Sequence, residues 1–381
     1  MIELSDQHRE FQEVIRSFAR REVMPGAQSR DENADDPAGI LKQLAELGAT
    51  GITVPAAYGG LGLDPTTLIV TIEELGYADA SVGSALGGHY LAMEGFLLAG
   101  DGAVKARYLP GLASGELRAA FALTEPDAGS DIASMRSNAV RDGKGWRLNG
   151  TKIFISSARE SDVMLVFAKT DRDAGFRGIS AFAVPSRSDG IEYSTPLAKL
   201  GCRGEHAYEV SLRDVLVPAD ALLGAENAGG RLAMQVVNSS RIDVAALANG
   251  VARRALDLAL GYSSARVQFG RSIREFQAIQ LSLGQMDVLV ETARLATYEA
   301  ARAKEAGKDI RRPSAIAKYV ASENCFTVVD KAMQIHGGYG YMKEAEIERL
   351  YRDCRLFRIY EGTSDIQLLT LAKLLPAGPL T

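Results

Sequence analysis

The segment Phe276-Gln-Ala-Ile-Gln-Leu-Ser-Leu-Gly-Gln-Met-Asp-Val-Leu-Val290 decides how this chain folds. Phe276, Ile279, Leu283, Met286 and Val290 recur at alternating spacings of three and four, which places them on one face of a helix predicted over 271–306. Such a face is core or a seam between helices. On one side of it a long pattern rich in Ala and Leu runs from Gly229-Gly230 to about Tyr262. On the other, Pro313 opens a third long helix through Met333, which Gly337-Gly338 ends. Shorter helices follow through about Tyr351 and over Ser364–Leu375. Consecutive amphipathic stripes bury their apolar faces only against one another, so residues 225–381 read as an antiparallel four-helix bundle.

Upstream the texture differs. Residues 118–224 hold short segments rich in β-branched and aromatic residues, among them Arg118–Leu123, Gly145–Leu148, Lys152–Ser156, Val163–Ala168, Ile179–Val184 and Tyr208–Val217. Asn149-Gly150 reads as a turn between two of them. This stretch is expected to form a β-barrel-like domain. Residues 1–117 are helical again. Phe11, Val14, Ile15 and Phe18 share one face, Pro25-Gly26 kinks or closes that helix, and Asp79 suits the cap between helices at about Thr66–Leu75 and Ser81–Leu98. A short helix over Ala103–Leu109 is expected to stop at Pro110-Gly111. The fold class is therefore α+β.

The 381 residues are 46% hydrophobic and 24% charged, with a net charge of -5, an ordinary globular composition. The 43 Lys and Arg residues are spread along the chain. Nucleic-acid binding, which needs a concentrated positive field, is excluded as a first reading. Cys202, Cys325 and Cys354 lie far apart, as do the four histidines, so neither a disulfide framework nor a metal centre is expected. The acidic N-terminal helix resembles no targeting peptide, and the run Leu91–Ala99 is too short to span a bilayer and is broken by Glu94. The reading is a soluble, cytoplasmic protein with no membrane segment.

Five stretches carry chemistry. Leu356-Phe-Arg-Ile-Tyr-Glu-Gly-Thr-Ser-Asp-Ile-Gln367 sets Glu361 behind an apolar run and before a flexible Gly362. Partial desolvation there raises a carboxyl toward the range of a general base, although most such residues are surface or helix-end carboxylates. Leu123-Thr-Glu-Pro-Asp-Ala-Gly-Ser-Asp131 is either a decorated turn or a loop whose amides and hydroxyls meet a polar ligand. In Gly150-Thr-Lys-Ile-Phe-Ile-Ser156, strand alternation puts Phe154 and Ser156 on one face, an aromatic surface beside a hydroxyl. Arg266-Val-Gln-Phe-Gly270 offers a guanidinium fork that caps a helix or meets a pyrophosphate. Gln334-Ile-His-Gly-Gly-Tyr-Gly340 follows a helix, so it is not the phosphate loop of a strand–turn–helix unit; His336 has no evident partner and reads as structural or as a ligand edge.

Taken together and in this order, these stretches resemble the acyl-CoA dehydrogenase family over essentially the entire chain. The resemblance implies FAD as cofactor, an acyl-CoA substrate, and a homotetramer or else a dimer in which neighbouring subunits share the flavin site. It places Phe121, Leu123, Thr124, Gly129, Ser130, Phe154 and Ser156 along the flavin of their own subunit, with Thr363 and Asp365. It assigns Arg266, Gln268, Phe269, Ile273, Phe276, Gln277, Gln334 and Gly338 to the neighbour's flavin. Among substrate contacts it places Arg241 near the CoA moiety and Ser130 and Asn238 at its pantetheine arm; Tyr360, beside the base, reads as a wall of the acyl pocket. Glu361 would take the α-proton as flavin N5 takes the β-hydride, its amide and a ribityl hydroxyl polarising the carbonyl. Some branches carry the base just before the residue matching Arg241; here that residue is Ser240, which cannot serve unaided. Glu205 stands where several relatives have Ser. The implied activity is α,β-dehydrogenation of a short or branched acyl-CoA, with an electron-transferring flavoprotein as acceptor. A desulfinase or oxidase on the same fold and a non-catalytic FAD- or CoA-binding subunit remain as alternatives.

Overall fold

The structure, a computed structural model, describes residues 2–376. Helix α1 (Asp6–Phe18) begins at Ser5, whose hydroxyl accepts from the His8 amide while the His8 ring accepts from the Ser5 amide, a reciprocal cap. After a kink at Pro25-Gly26 come α2 (Ala27–Asn33), α3 (Ala38–Glu46), α4 (Pro65–Ala78) and α5 (Ala80–Ala99). Asp79 does cap α5, accepting from the Ser81 amide at 2.8 Å. Helix α6 (Gly102–Ser114) corrects the expected stop at Pro110: the helix runs through the proline, because Tyr108, Leu109, Leu112 and Ala113 are all buried on one side. Packing there outweighs the loss of one backbone hydrogen bond.

The middle of the chain forms β1 (Ala119–Ala122), β2 (Asn138–Asp142), β3 (Gly145–Ser156), β4 (Val163–Lys169), β5 (Ile179–Pro185), β6 (Ile191–Tyr193), β7 (Ala207–Pro218) and β8 (Leu222–Leu223). They make one eight-stranded sheet in the order β6-β7-β3-β2-β4-β5-β8, with β1 parallel to β4. The β-barrel-like closure expected from the sequence does not form. β2 and β4 meet only at Asn138 and Lys169, and the end strands β6 and β8 are short and unpaired with each other. Helices substitute for closure. Along β4, Val163, Leu165 and Phe167 pack into the helical core while Met164, Val166 and Ala168 face a second core around Trp146, Phe182 and Tyr208. Strand alternation with burial on both faces explains the unbroken apolar run. The turn expected at Asn149-Gly150 is also corrected. Those residues lie inside continuous β3, where the register with β7 shifts, and Gly150 at φ +152° passes so close to Ser137 that a Cβ would collide with it.

The bundle comprises α7 (Gly229–Ala265), α8 (Gln277–Glu305), α9 (Arg311–His336), α10 (Glu346–Cys354) and α11 (Ser364–Leu374). Helix α8 starts six residues later than expected, because a hairpin of β9 (Val267–Gln268) and β10 (Arg271–Ser272) intervenes. Leu283, Met286 and Val290 are buried as the stripe requires, whereas Phe276 precedes the helix and is half-buried. The N-terminal helices are tied to the bundle by Glu73 of α4, fully buried, which accepts from Arg253, Arg294 and the Tyr298 hydroxyl at 2.7, 2.9 and 2.9 Å. No described helix is long and apolar enough to cross a membrane. Cys202, Cys325 and Cys354 are free and buried.

Candidate active site

Glu361 sits in the turn between α10 and α11 with φ +53°, the left-handed region that non-glycine residues enter only when their surroundings hold them there. Those surroundings are specific. The Glu361 carbonyl accepts from Arg241 Nε at 3.1 Å, and the next carbonyl, of Gly362, accepts from Lys318 Nζ at 2.7 Å and Gln367 Nε2 at 2.9 Å. Arg241, Lys318 and Gln367 are almost wholly buried, and burial draws the Lys318 ammonium down to about 8. Gly362, at φ +94°, completes the turn; a Cβ there would press on Gln367 and Arg241. Thr363 caps α11 by accepting from the Ile366 amide, and Asp365 is exposed in its first turn.

The turn leaves the Glu361 side chain facing α7. The Ser240 hydroxyl donates to its Oε2 at 2.5 Å. Burial lifts the carboxyl to about 7; Ser240, Lys318 and Arg241 oppose that rise, and Glu205 adds to it. A group balanced there gives up or takes a proton near neutral pH. The Glu361 amide has no hydrogen-bond partner among the described residues, so it is available to a ligand oxygen. Asn238 accepts from Arg241 Nη1 at 2.8 Å. Burial pushes the Tyr360 phenol well above its usual range.

A second group forms where the loop after β1 meets β3. Ile153 donates to the Thr124 carbonyl at 2.9 Å, bringing Phe121, Leu123 and Thr124 beside Phe154 and Ser156. Strand alternation fails here. The register shifts between Lys152 and Ile155, Phe154 has φ +59°, and its ring is 67% exposed. The bulge thus presents a flat apolar surface to the outside of the chain. Gly129 and Ser130 are exposed on the same loop. What anchors the loop escaped the sequence reading: Lys152, fully buried, contacts Glu125 Oε1 at 2.7 Å and the Leu123 carbonyl at 3.1 Å. Glu125 also accepts the Arg136 and Ser137 amides. Burial works to raise the Glu125 carboxyl, but Lys152 and these amides outweigh it and hold it below the usual range; burial lowers Lys152 to about 8.

The third group lies around the β9–β10 hairpin. Phe269 and Gly270 form its left-handed turn, leaving Phe269 93% exposed. Arg266, Gln268, Ile273 and Gly338 line one cavity of about 470 Å³ together with Tyr262, His336 and Tyr339. Arg266 lies 5.5 Å from the Tyr339 ring centroid, and His336 stacks on Tyr262 at 4.4 Å. Phe276 packs edge-on to Phe269 with centroids 6.1 Å apart. Gln277 opens α8, and Gln334 is exposed in the last turn of α9.

Lys318 and Gln367 were also missed. The signal for Lys318 is present in the sequence: it shares a helix face with Ser314, Ala321, Ser322 and Cys325, where a charge among small buried residues needs a fixed partner. Gln367 carries no comparable signal.

The structure thus offers a poised carboxyl suited to proton transfer, an exposed flat ring on a bulge suited to stacking, and separately a cavity with Arg and Gln donors suited to an anionic group. Family comparisons agree. The chain matches the acyl-CoA dehydrogenase N-terminal domain over residues 5–116, the middle domain over 120–215 and the C-terminal domain over 227–375. It is 40% identical to a 3-(aryl)acrylate reductase of Clostridium sporogenes, over 97% of this chain and 98% of that protein. It is 39% identical to an acyl-CoA dehydrogenase of Bacillus subtilis, over 96% and 97% respectively. A solved structure described as the electron transferring flavoprotein of Acidaminococcus fermentans superposes with a TM-score of 0.97 at 35% identity, covering 99% of this chain and 100% of that one. The chain belongs to the acyl-CoA dehydrogenase family, and with it to the FAD-binding oxidoreductases that act on CoA thioesters. The exposed Phe154 face and the Arg266 cavity fit that cofactor's ring and diphosphate.

Proposed function

We propose that this protein interconverts a saturated acyl-CoA and its α,β-unsaturated partner, with Glu361 as the acid–base group at the α-carbon. The observation that carries this reading is the Glu361 carboxyl itself, raised to about 7 by burial and fixed by Ser240 on a backbone turn that three buried side chains hold. FAD, when bound, supplies the acceptor or donor of the hydride at the β-carbon. The protein supplies the rest. Glu361 removes or returns the α-proton; its unpaired amide donates to the thioester oxygen as negative charge grows there. Arg241, Lys318 and Gln367 position the turn without touching the reacting atoms. Phe154 and Ser156, with the Thr124 loop, would seat the ring of the same subunit's flavin, with Thr363 and Asp365 at its margin. Arg266, Gln268 and the hairpin would meet the flavin of a neighbour.

Direction is testable through the same carboxyl. Dehydrogenation needs Glu361 deprotonated, so its kcat/KM rises with pH and levels off above about 7. Reduction needs it protonated, so that kcat/KM falls above the same value. Ser240→Ala removes a hydrogen bond that favours the carboxylate, and both limbs are expected to move to higher pH; pH profiles superimposable on wild type would dissociate Ser240 from the base. A reductase among the relatives supports testing both directions.

An exposed face of α8 supports assembly. Leu281, Val288 and Leu295, spaced by seven, are 69%, 60% and 48% exposed and form an apolar seam with no partner among the described residues. We assign this seam to subunit association in a homotetramer or dimer. Val288→Glu is expected to reduce the mass measured by light scattering and to weaken FAD retention together. Unchanged mass would remove α8 from the interface. An electron-transferring flavoprotein is the proposed redox partner, supported by the whole-chain superposition on the A. fermentans structure. Three free buried cysteines suit a reducing, cytoplasmic setting.

A further inference from the structure

Two buried carboxyls beside Glu361 have no role in the chemistry above. Glu205, 3% exposed, accepts from the Ser84 hydroxyl through Oε2 at 2.8 Å, with Lys199 Nζ at 3.8 Å from the same oxygen. Its Oε1 has no donor among the described residues. Asp243, 9% exposed, has neither a hydrogen bond nor an ion pair among them. Neither residue's free oxygens are among the fully enclosed polar atoms that lack a partner, so a solvent or ligand donor can reach them.

Their placement indicates what they face. Asp243 follows Ser240 by three residues on α7, so it lies on the face from which Ser240 reaches Glu361. It feels Lys304, Glu361 and Glu94, and burial raises it well above the carboxylate range. Lys304 in turn contacts Glu94 of α5 at 3.1 Å and the Ser239 hydroxyl, closing the space between α5, α7 and α8. Across it, α5 is buried on most sides, but Gly87 and Gly88 are half-open. A Cβ on Gly87 would meet nothing within 4 Å, and one on Gly88 would meet only Glu205 Oε1, at 3.6 Å. The space over Gly88 is therefore met by a carboxyl oxygen of Glu205, and Asp243, one turn along α7 from Ser240, is near enough to Glu361 to feel its charge.

We propose that Glu205 and Asp243 line the acyl end of the cleft and receive a hydrogen-bond donor, a hydroxyl or amino group, carried on the distal part of the acyl chain. This rests on the CoA-thioester reading and narrows it: the substrate is the thioester of a hydroxy- or amino-substituted acid, not of a plain alkyl acid.

The test uses the purified holoprotein and thioesters matched in length: butanoyl-, 4-hydroxybutanoyl- and 4-aminobutanoyl-CoA, and 3-phenylpropanoyl- against 3-(4-hydroxyphenyl)propanoyl-CoA. Anaerobic flavin bleaching gives kcat/KM, and the flavin spectral shift with the corresponding enoyl-CoAs gives affinity without turnover. A site built for a donor discriminates strongly against the analogue lacking it, so a preference of about 100-fold or more is expected within at least one matched set. Asp243→Val or Glu205→Ser should cut that preference at least tenfold with FAD retained, and Asp243→Asn or Glu205→Gln, which keep an acceptor oxygen, should restore part of it. The hydroxy and amino arms distinguish a neutral donor from a cationic one. Equal or better use of the plain alkyl and phenyl thioesters, with the ratio unchanged in the variants, overturns the inference and leaves the acid–base assignment standing. Absence of both bleaching and spectral shift with every thioester overturns both.

Discussion

Glu361→Gln is expected to retain FAD and to bind acyl-CoA and enoyl-CoA, yet to lose turnover by about 10²- to 10⁴-fold, the range of a positioned general acid–base group. The amide keeps the shape of the carboxyl and can still accept from Ser240, which donates to Oε2 in the native protein. The left-handed turn is held through main-chain carbonyls by Arg241, Lys318 and Gln367, so it does not depend on the lost charge. The loss should fall on kcat and spare binding, the pattern of an interaction made in the transition state. Stopped-flow bleaching of the flavin under anaerobic conditions, beside equilibrium binding of the enoyl product, separates the two. Turnover within tenfold of wild type would move the acid–base role elsewhere.

Lys152→Met is expected to be the most damaging single change outside that turn. It leaves the Glu125 carboxylate buried with only the Arg136 and Ser137 amides to compensate it. Breaking a buried ion pair from one side costs about 3–5 kcal/mol, which corresponds to a fall in Tm of roughly 10 °C for a domain of this order. Because Lys152 also holds the Leu123 carbonyl, the loop carrying Thr124, Gly129 and Ser130 should loosen and FAD should dissociate more readily. Differential scanning fluorimetry and the protein-bound flavin absorbance report the two effects. Adding Glu125→Gln should recover part of the stability, since no uncompensated charge then remains. An unchanged Tm in Lys152→Met would mean that the pair does not hold the loop.

What the sequence disclosed and what it withheld follow from the range of the forces involved. The helix start at Asp79 is a local event, a side-chain oxygen meeting an amide two residues ahead, and such a signal is readable along the chain. The stripe through Leu283, Met286 and Val290 was legible for the same reason. Pro110 misled because tertiary packing around Tyr108 and Leu112 overrides a local rule. Asn149-Gly150 has the composition of a hairpin turn, yet the register shift against β7 and the approach of Ser137, just ahead of β2, show that it is a bulge. The expected barrel failed at β2 and β4, whose single point of pairing no strand pattern could reveal. At the site, the strongly patterned stretches were visible. Lys318 and Gln367 matter through contacts with the Gly362 carbonyl, 44 and 5 residues away respectively, and Glu125 with Lys152 read as ordinary charged residues until their burial was known.

The acid–base role of Glu361 is tested most directly by exchange rather than by oxidation. A β-thia acyl-CoA has an α-proton but no β-hydrogen to surrender, so incubating it with the holoprotein in D2O isolates the first step. Proton NMR is expected to show deuterium entering the α-position in the wild-type protein, faster as pH rises through about 7, and to show essentially none with Glu361→Gln. Equal exchange by both proteins would contradict the assignment of the proton to this carboxyl.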